Sequence, residues 1–260
     1  MSLRFRDAAI IVLTGLLLGC GPSRIKKLPV PQEKVIEAYR LMGEADEMMK
    51  EGKDHLAVLK YVEATTLNPY HEAIFNKLAI AYCRTGRYWQ GRKAAERSVR
   101  LHPGYASGHN TLGIVSLSNR KYKQAAAYFQ EAIDLDARPS YYVNLGYAEM
   151  MRNRYEASRE AYLQAALLDP EVFKKSSVSR LTYPDPMGVD SETNYNLARL
   201  FAEMGDEPQC LKYLGKALSA GFTDQERLAA DESFDKLRQS QDFIELLSLY
   251  GLTAAGKVSG

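Results

Sequence analysis

Four tripeptides, Leu67-Asn68-Pro69, Leu101-His102-Pro103, Leu135-Asp136-Ala137 and Leu168-Asp169-Pro170, follow one another at intervals of 34, 34 and 33 residues. Landmarks inside the intervals keep the same phase. Leu78-Ala79 returns as Leu112-Gly113 and as Leu145-Gly146. Tyr88 returns as Tyr122 and Tyr155, each shortly before a small side chain at Gly91, Ala125 and Ser158. Phe129 and Tyr162 share one position, and Ala64, Ser98, Ala132 and Ala165 share another. A period of this size confines the chain to a stack of one small unit, because such a unit cannot bury its apolar face without neighbours.

The pattern resembles the tetratricopeptide repeat, a helix–turn–helix unit of 34 residues. The resemblance implies an all-α fold, a right-handed superhelical solenoid, with four units over 35–170. Small residues such as Gly113 and Ala125 let the two helices of a unit approach closely. Aromatic rings fill the gap to the next unit, and proline stops the second helix. That packing role accounts for most of the seventeen tyrosines. The first unit is degenerate: Glu44-Ala45 replaces the Leu-Gly pair, while Gly52, Ala57, Tyr61, Ala64 and Pro69 hold. Residues 171–190, with Pro184, Pro186 and Gly188, read as an irregular connection. The period resumes as a divergent fifth unit at 191–222 through Leu197-Ala198, Gly205, Cys210 and Leu214. Residues 223–250 supply two short amphipathic helices that cap the stack with Phe234, Leu237, Phe243, Leu246 and Leu247, and 251–260 form a flexible tail.

Ahead of the repeats, Arg4 and Arg6 precede an uncharged run from Ala8 to Gly19, which ends at Cys20-Gly21-Pro22. The run is too short to span a bilayer, which takes about 20 apolar residues. A basic start, a short apolar middle and a small residue before the cut fit a secretory signal over 1–19. Leu17-Leu18-Gly19-Cys20 resembles the lipobox of bacterial lipoproteins. That resemblance implies lipidation of Cys20, residues 20–34 as an anchored tether, and a place at the outer membrane facing the periplasm. The alternative is a buried helix with a core cysteine, which Gly21-Pro22 would end abruptly.

Signs of catalysis are missing from the pattern. His55, His71, His102 and His109 share no metal-ligand spacing, and no nucleophile elbow, phosphate loop or paired-cysteine motif occurs. Glu44, Asp46 and Glu47 read as a solvated helix face. Cys83 and Cys210 read as two free buried thiols. No metal or cofactor is expected. A formal net charge of +2 with no long charge block gives no sign of a nucleic-acid partner, and none is expected.

A stack of helix pairs offers a surface instead, and in this family the first helix of each pair lines the concave groove. By that resemblance the groove holds Asn76, Ile80 and Arg84 of the second unit, Asn110, Ile114 and Leu117 of the third, and Asn144, Tyr147, Met150 and Met151 of the fourth. Asparagines in a ladder can grip the backbone of an extended peptide, or they can bond only within the stack. The aliphatic and methionine strip implies a ligand, unless the chain's own C-terminal or 171–190 segment fills it. Arg84, Arg87, Arg92, Lys93, Arg97 and Arg100 form a basic patch directed outward on the second unit. The carboxylate clamp of the chaperone-binding subset is disfavoured, since Ile80 and Ser107 stand where asparagine and lysine would. The expected function is a membrane-anchored envelope adaptor that binds a protein segment; the alternative, if the signal is not processed, is a soluble cytosolic scaffold. In architecture the chain resembles the pilotins of type IV pilus secretins, or adaptors that gather cell-wall enzymes and outer-membrane assembly factors.

Overall fold

In the computed structural model, which describes residues 28–169, 171–172 and 191–253, the chain is a succession of antiparallel helix pairs. The pairs are α1 Gln32–Lys50 with α2 Asp54–Leu67, α3 Glu72–Arg84 with α4 Tyr88–Leu101, and α5 Ala106–Ser118 with α6 Tyr122–Leu135. Next come α7 Pro139–Met150 with α8 Tyr155–Leu168, and α9 Ser191–Glu203 with α10 Glu207–Ser219. A short α11 Gln225–Ala230, a 3-10 turn Glu232–Leu237 and α12 Gln241–Leu249 complete the described part, in which no strand occurs. The leader, Cys20, most of the tether, most of the 171–190 connection and the end of the tail lie outside the described residues.

Why the pairs close as they do is visible at one contact that recurs in every unit. A small residue on the first helix faces the position sixteen residues later on the second: Ala45 and Tyr61, Ala79 and Ala95, Gly113 and Phe129, Gly146 and Tyr162, Ala198 and Leu214. Every member of this set except the two glycines is at most 4% exposed, and the glycines are buried too. A Cβ on Gly113 would stand 2.4 Å from Cε1 of Phe129, and one on Gly146 would stand 3.0 Å from the Tyr162 ring. The ring therefore occupies the space that the missing side chain leaves. The turn inside each pair needs a left-handed residue, supplied by Gly52, Gly86 and Gly205 and, in units three and four, by Arg120 and Asn153, both at φ 57°.

The ends of the stack are finished differently. Helices α1 to α8 begin without a side-chain cap, whereas Asp206, Asp224, Asp231 and Ser240 each accept a backbone N–H at the start of α10, α11, the 3-10 turn and α12. Local capping lets these short C-terminal pieces form without the support of long helices. They bring Phe222, Leu228, Phe234, Leu237, Phe243 and Leu247 into one apolar cluster with α9, α10 and, from unit four, Val143, Met150 and Tyr162.

Candidate functional site

Helices α3, α5 and α7 pack side by side, α3 against α5 and α5 against α7, and their common face is the candidate site. Ile80, Ile114, Leu117, Tyr147 and Met151 are half-buried there, so each leaves part of an apolar side chain at the surface. Burial, with Tyr122 and Tyr213 nearby, pushes the Tyr147 phenol up to about 12. Asn144 donates its Nδ2 to Oδ1 of Asn110 at 2.8 Å, and Asn110 is itself only half-buried.

Four of the residues expected in the groove do other work. Met150 is 2% exposed and packs in the cluster that joins unit four to α9 and the C-terminal pieces, because the fifth unit covers the end of α7. Asn76 and Asn144 are buried at 5% and 2% exposure, and the amide oxygen of each lacks a hydrogen-bond partner. They stand behind the surface rather than on it. Arg84 forks onto Asp54, with Nη2 at 2.7 Å from Oδ1 and Nε at 3.0 Å from Oδ2, and so ties α3 to the start of α2. Asp46 also departs from expectation: rather than standing on a solvated face, it accepts from Lys77 Nζ at 2.8 Å and from the Tyr61 hydroxyl. Burial first, then that carboxylate, pushes the Tyr61 phenol far above its usual range.

At the fifth unit the groove is closed by the chain's own C-terminal segment. Tyr195, the phase equivalent of Asn76 and Asn110, stacks on Phe222 at 4.2 Å and donates its hydroxyl to Asp231 Oδ2 at 2.7 Å. Arg199, the equivalent of Ile80 and Ile114, pairs with the same oxygen at 2.7 Å. Arg227 lies over the Tyr195 ring at 4.6 Å and pairs with Glu192 at 2.7 Å. Burial pulls the Asp231 carboxyl upward, but the Tyr195 hydroxyl, Ser233 and Arg199 outweigh it and hold it below the usual carboxylate range. An open cleft of about 660 Å³ lies beside this cluster, lined by Arg199, Glu203, Arg227, Asp231 and Ser233. Most of its charges are already matched, with Glu203 bound by Arg159 and by the Ser233 hydroxyl and Asp231 by Arg199, while Glu232 stands exposed at its rim. Sequence reasoning missed Asp231 because it lies outside the repeat and reaches Tyr195 from 36 residues away.

The remaining titratable groups give little reactive chemistry. Burial pushes both the Cys83 and Cys210 thiols up to about 12, so neither forms much thiolate near neutral pH, and both are free cysteines. His109 is held on both nitrogens, by Glu131 Oε2 and by the Pro103 carbonyl, each at 2.8 Å. Among the described residues no group of three or more histidines, cysteines and carboxylates gathers as a metal site would.

Spacing, a buried small residue sixteen positions ahead of a buried partner, and the side-by-side packing of first helices all recur from α3 to α8. Residues 76–142 and 110–172 match the tetratricopeptide repeat family. Those residues are tetratricopeptide repeats. Among curated proteins, the chain is 25% identical over 143 residues to Hsp70-Hsp90 organizing protein 3 of Arabidopsis thaliana, covering 55% of this chain and 24% of that one. It is 24% identical over 237 residues to Hsp70-Hsp90 organizing protein 1 of Glycine max, covering 84% of this chain and 40% of that one. The chain thus spans well under half the length of these relatives. A thermophilic tetratricopeptide protein of Thermus thermophilus matches in fold with a TM-score of 0.52 at 16% identity, over 73% of this chain and 94% of that structure. Spacing, the family match and the likeness in fold agree on a stack of helix pairs that is tetratricopeptide in kind over the matched residues.

Proposed function

We propose that the chain is a non-catalytic adaptor of the bacterial envelope, anchored through lipid on Cys20, that holds an extended segment of an envelope protein along α3, α5 and α7. The observation that carries the reading is the bond from Asn144 to Asn110. Because Asn110 accepts through its oxygen, its NH2 is turned away from that contact and is free to donate to a peptide carbonyl. Such a donor recognises backbone, whatever the side chain, and the flanking Ile80, Ile114, Leu117 and Tyr147 add apolar contact. Relatives named as organizers of Hsp70 and Hsp90 support the interaction class. The segment stops at α9, where Asp231, Tyr195 and Arg199 already fill the face. The partners are components of a pilus, secretion or outer-membrane assembly complex.

Two measurements test this. Labelled palmitate is expected on the wild-type chain and not on Cys20→Ala; label on neither would make it an unanchored scaffold. Capture from detergent-solubilised envelopes is expected to enrich an assembly component that the double variant Asn110→Ala/Tyr147→Ala loses. Enrichment of cell-wall hydrolases instead would redirect the adaptor to peptidoglycan enzymes. Equal capture by the variant would remove the groove from the proposal.

A further inference from the structure

A second surface lies on α4, the second helix of its pair and separate from the groove. Its buried side is Gly91, Ala94, Ala95, Ser98 and Leu101. Trp89, Lys93, Glu96 and Arg100 follow at helical spacing along another side, and Trp89 is 69% exposed. Lys93 places its ammonium 5.7 Å from the centre of the indole ring, and Arg92 is matched by Glu96 at 2.8 Å. Arg97 turns inward to the Pro69 carbonyl and the Phe75 ring. Arg87, Lys93 and Arg100 are exposed, and no carboxylate of the described residues pairs with any of them.

We propose that this face of α4 docks an acidic segment of a partner protein, with one apolar side chain of that segment set against Trp89. Charge complementarity selects the occupant. Three unmatched cations are spread along the helix that carries a large exposed ring, with Lys93 against the ring itself, and an exposed tryptophan beside arginine and lysine is the usual make-up of an interaction anchor. Lys93 and Arg100 lie two helical turns apart, about 10 Å along the axis at 1.5 Å per residue. A segment in polyproline II conformation, with three residues per turn at about 3.1 Å per residue, presents carboxylates on one face at about that interval on every third residue. A lipid surface fits less well, because binding there grows with inserted apolar area, and α4 offers only Trp89 and part of Tyr88 beside Gln90 and the Arg92–Glu96 pair. Leu59, which stands one repeat before Lys93, is 65% exposed and extends the same outward position as apolar surface on α2. This docking is independent of the groove.

The chain has one tryptophan, so its fluorescence reports this face directly. The probe is a synthetic peptide with glutamate at every third residue and leucine and proline between, with a glutamine-for-glutamate peptide and vesicles containing phosphatidylglycerol as comparison arms. The acidic peptide is expected to shift Trp89 emission to the blue in a saturable way. Its apparent affinity is expected to fall about tenfold between low and physiological salt, as screening requires. The triple variant Arg87→Gln/Lys93→Gln/Arg100→Gln, checked for an unchanged circular dichroism spectrum, is expected to bind at least tenfold more weakly. No shift with the acidic peptide, an equal shift with the neutral one, undiminished binding by the folded variant, or a shift with vesicles alone would each overturn the proposal.

Discussion

At Gly113 one hydrogen in place of a methyl group decides how close two helices can come. The position a Cβ would take is already filled by the Phe129 ring, which is fully buried and has nowhere to go. Gly113→Ala is expected to destabilise the chain by about 1–3 kcal/mol, the cost of forcing extra volume into a packed site. Gly43, inside α1 with nothing within 4 Å of its would-be Cβ, supplies the opposite sign. Gly43→Ala should stabilise by about 0.5–1 kcal/mol through helix propensity alone. Urea unfolding of both variants checks the pair, and equal effects would refute the packing argument. Arg120 is a third test, because its φ of 57° is a conformation that units one, two and five entrust to glycine. Arg120→Gly is expected to raise stability by about 1 kcal/mol in the same assay, close to the cost of a left-handed L-residue. Gly113 and Phe129 were legible in the sequence, since small and large residues recur in phase, whereas Gly43 and the left-handed turn at Arg120 stand outside that pattern. Asn144 was not read in the same way. Counted from Leu145-Gly146 it is one place out of step with Asn110, yet it lies 34 residues from Asn110 and bonds to it. Counting from the asparagines themselves would have found the contact.

Helices as units show where periodic reasoning runs out. The helical pairs and their order follow from the repeat, but the groove face was transferred to α7 as though every unit had the same neighbours. Unit four is followed by α9 and the C-terminal pieces, which bury Met150, whose equivalents Cys83 and Leu117 in units two and three stay half-buried. Nor could the sequence show that the 3-10 turn brings Asp231 to α9, because that contact obeys no period. Asp231 accepts from the Tyr195 hydroxyl and the Ser233 backbone N–H, and pairs with Arg199. Asp231→Ala leaves a buried hydroxyl and a guanidinium short of a partner, and is expected to cost about 1–3 kcal/mol. Amide hydrogen exchange should quicken over Phe222–Leu237 and α9, with α3 to α6 unchanged. The depressed pKa fixes the sign with pH. This contribution is present above about pH 4, where the unfolded carboxyl is ionised, and is lost as pH falls through the folded value. The variant and the wild type should therefore converge in stability below pH 4. A constant gap down to pH 2 would mean that Asp231 acts through packing alone.

Stability in a stack is carried between neighbours, so the whole molecule should not come apart evenly. The apolar interior is divided accordingly. Separate clusters lie within units one to four, while one continuous cluster runs from Val143 through α9 and α10 to Leu247. Phe222, Phe234, Phe243 and Leu247, all buried, belong to the segment beyond α10. Burial of a large apolar side chain contributes about 1.5–3 kcal/mol, so the four together contribute about 6–12 kcal/mol, a whole domain's worth of stability. Ending the chain after Gly221 is therefore expected to unfold α9 and α10, loosen α7 and α8 through the shared cluster, and leave α1 to α6 intact. Exchange mass spectrometry would show full protection in α3 to α6, partial protection in α7 and α8, and none in α9 and α10. Loss of protection throughout would mean that the stack folds as one cooperative body. Protection kept in α9 and α10 would mean that the fifth pair stands without its cap. The first four units would then still present Asn110 and Tyr147, so a groove ligand bound by the shortened chain would show that the C-terminal pieces close the groove's end without building its floor.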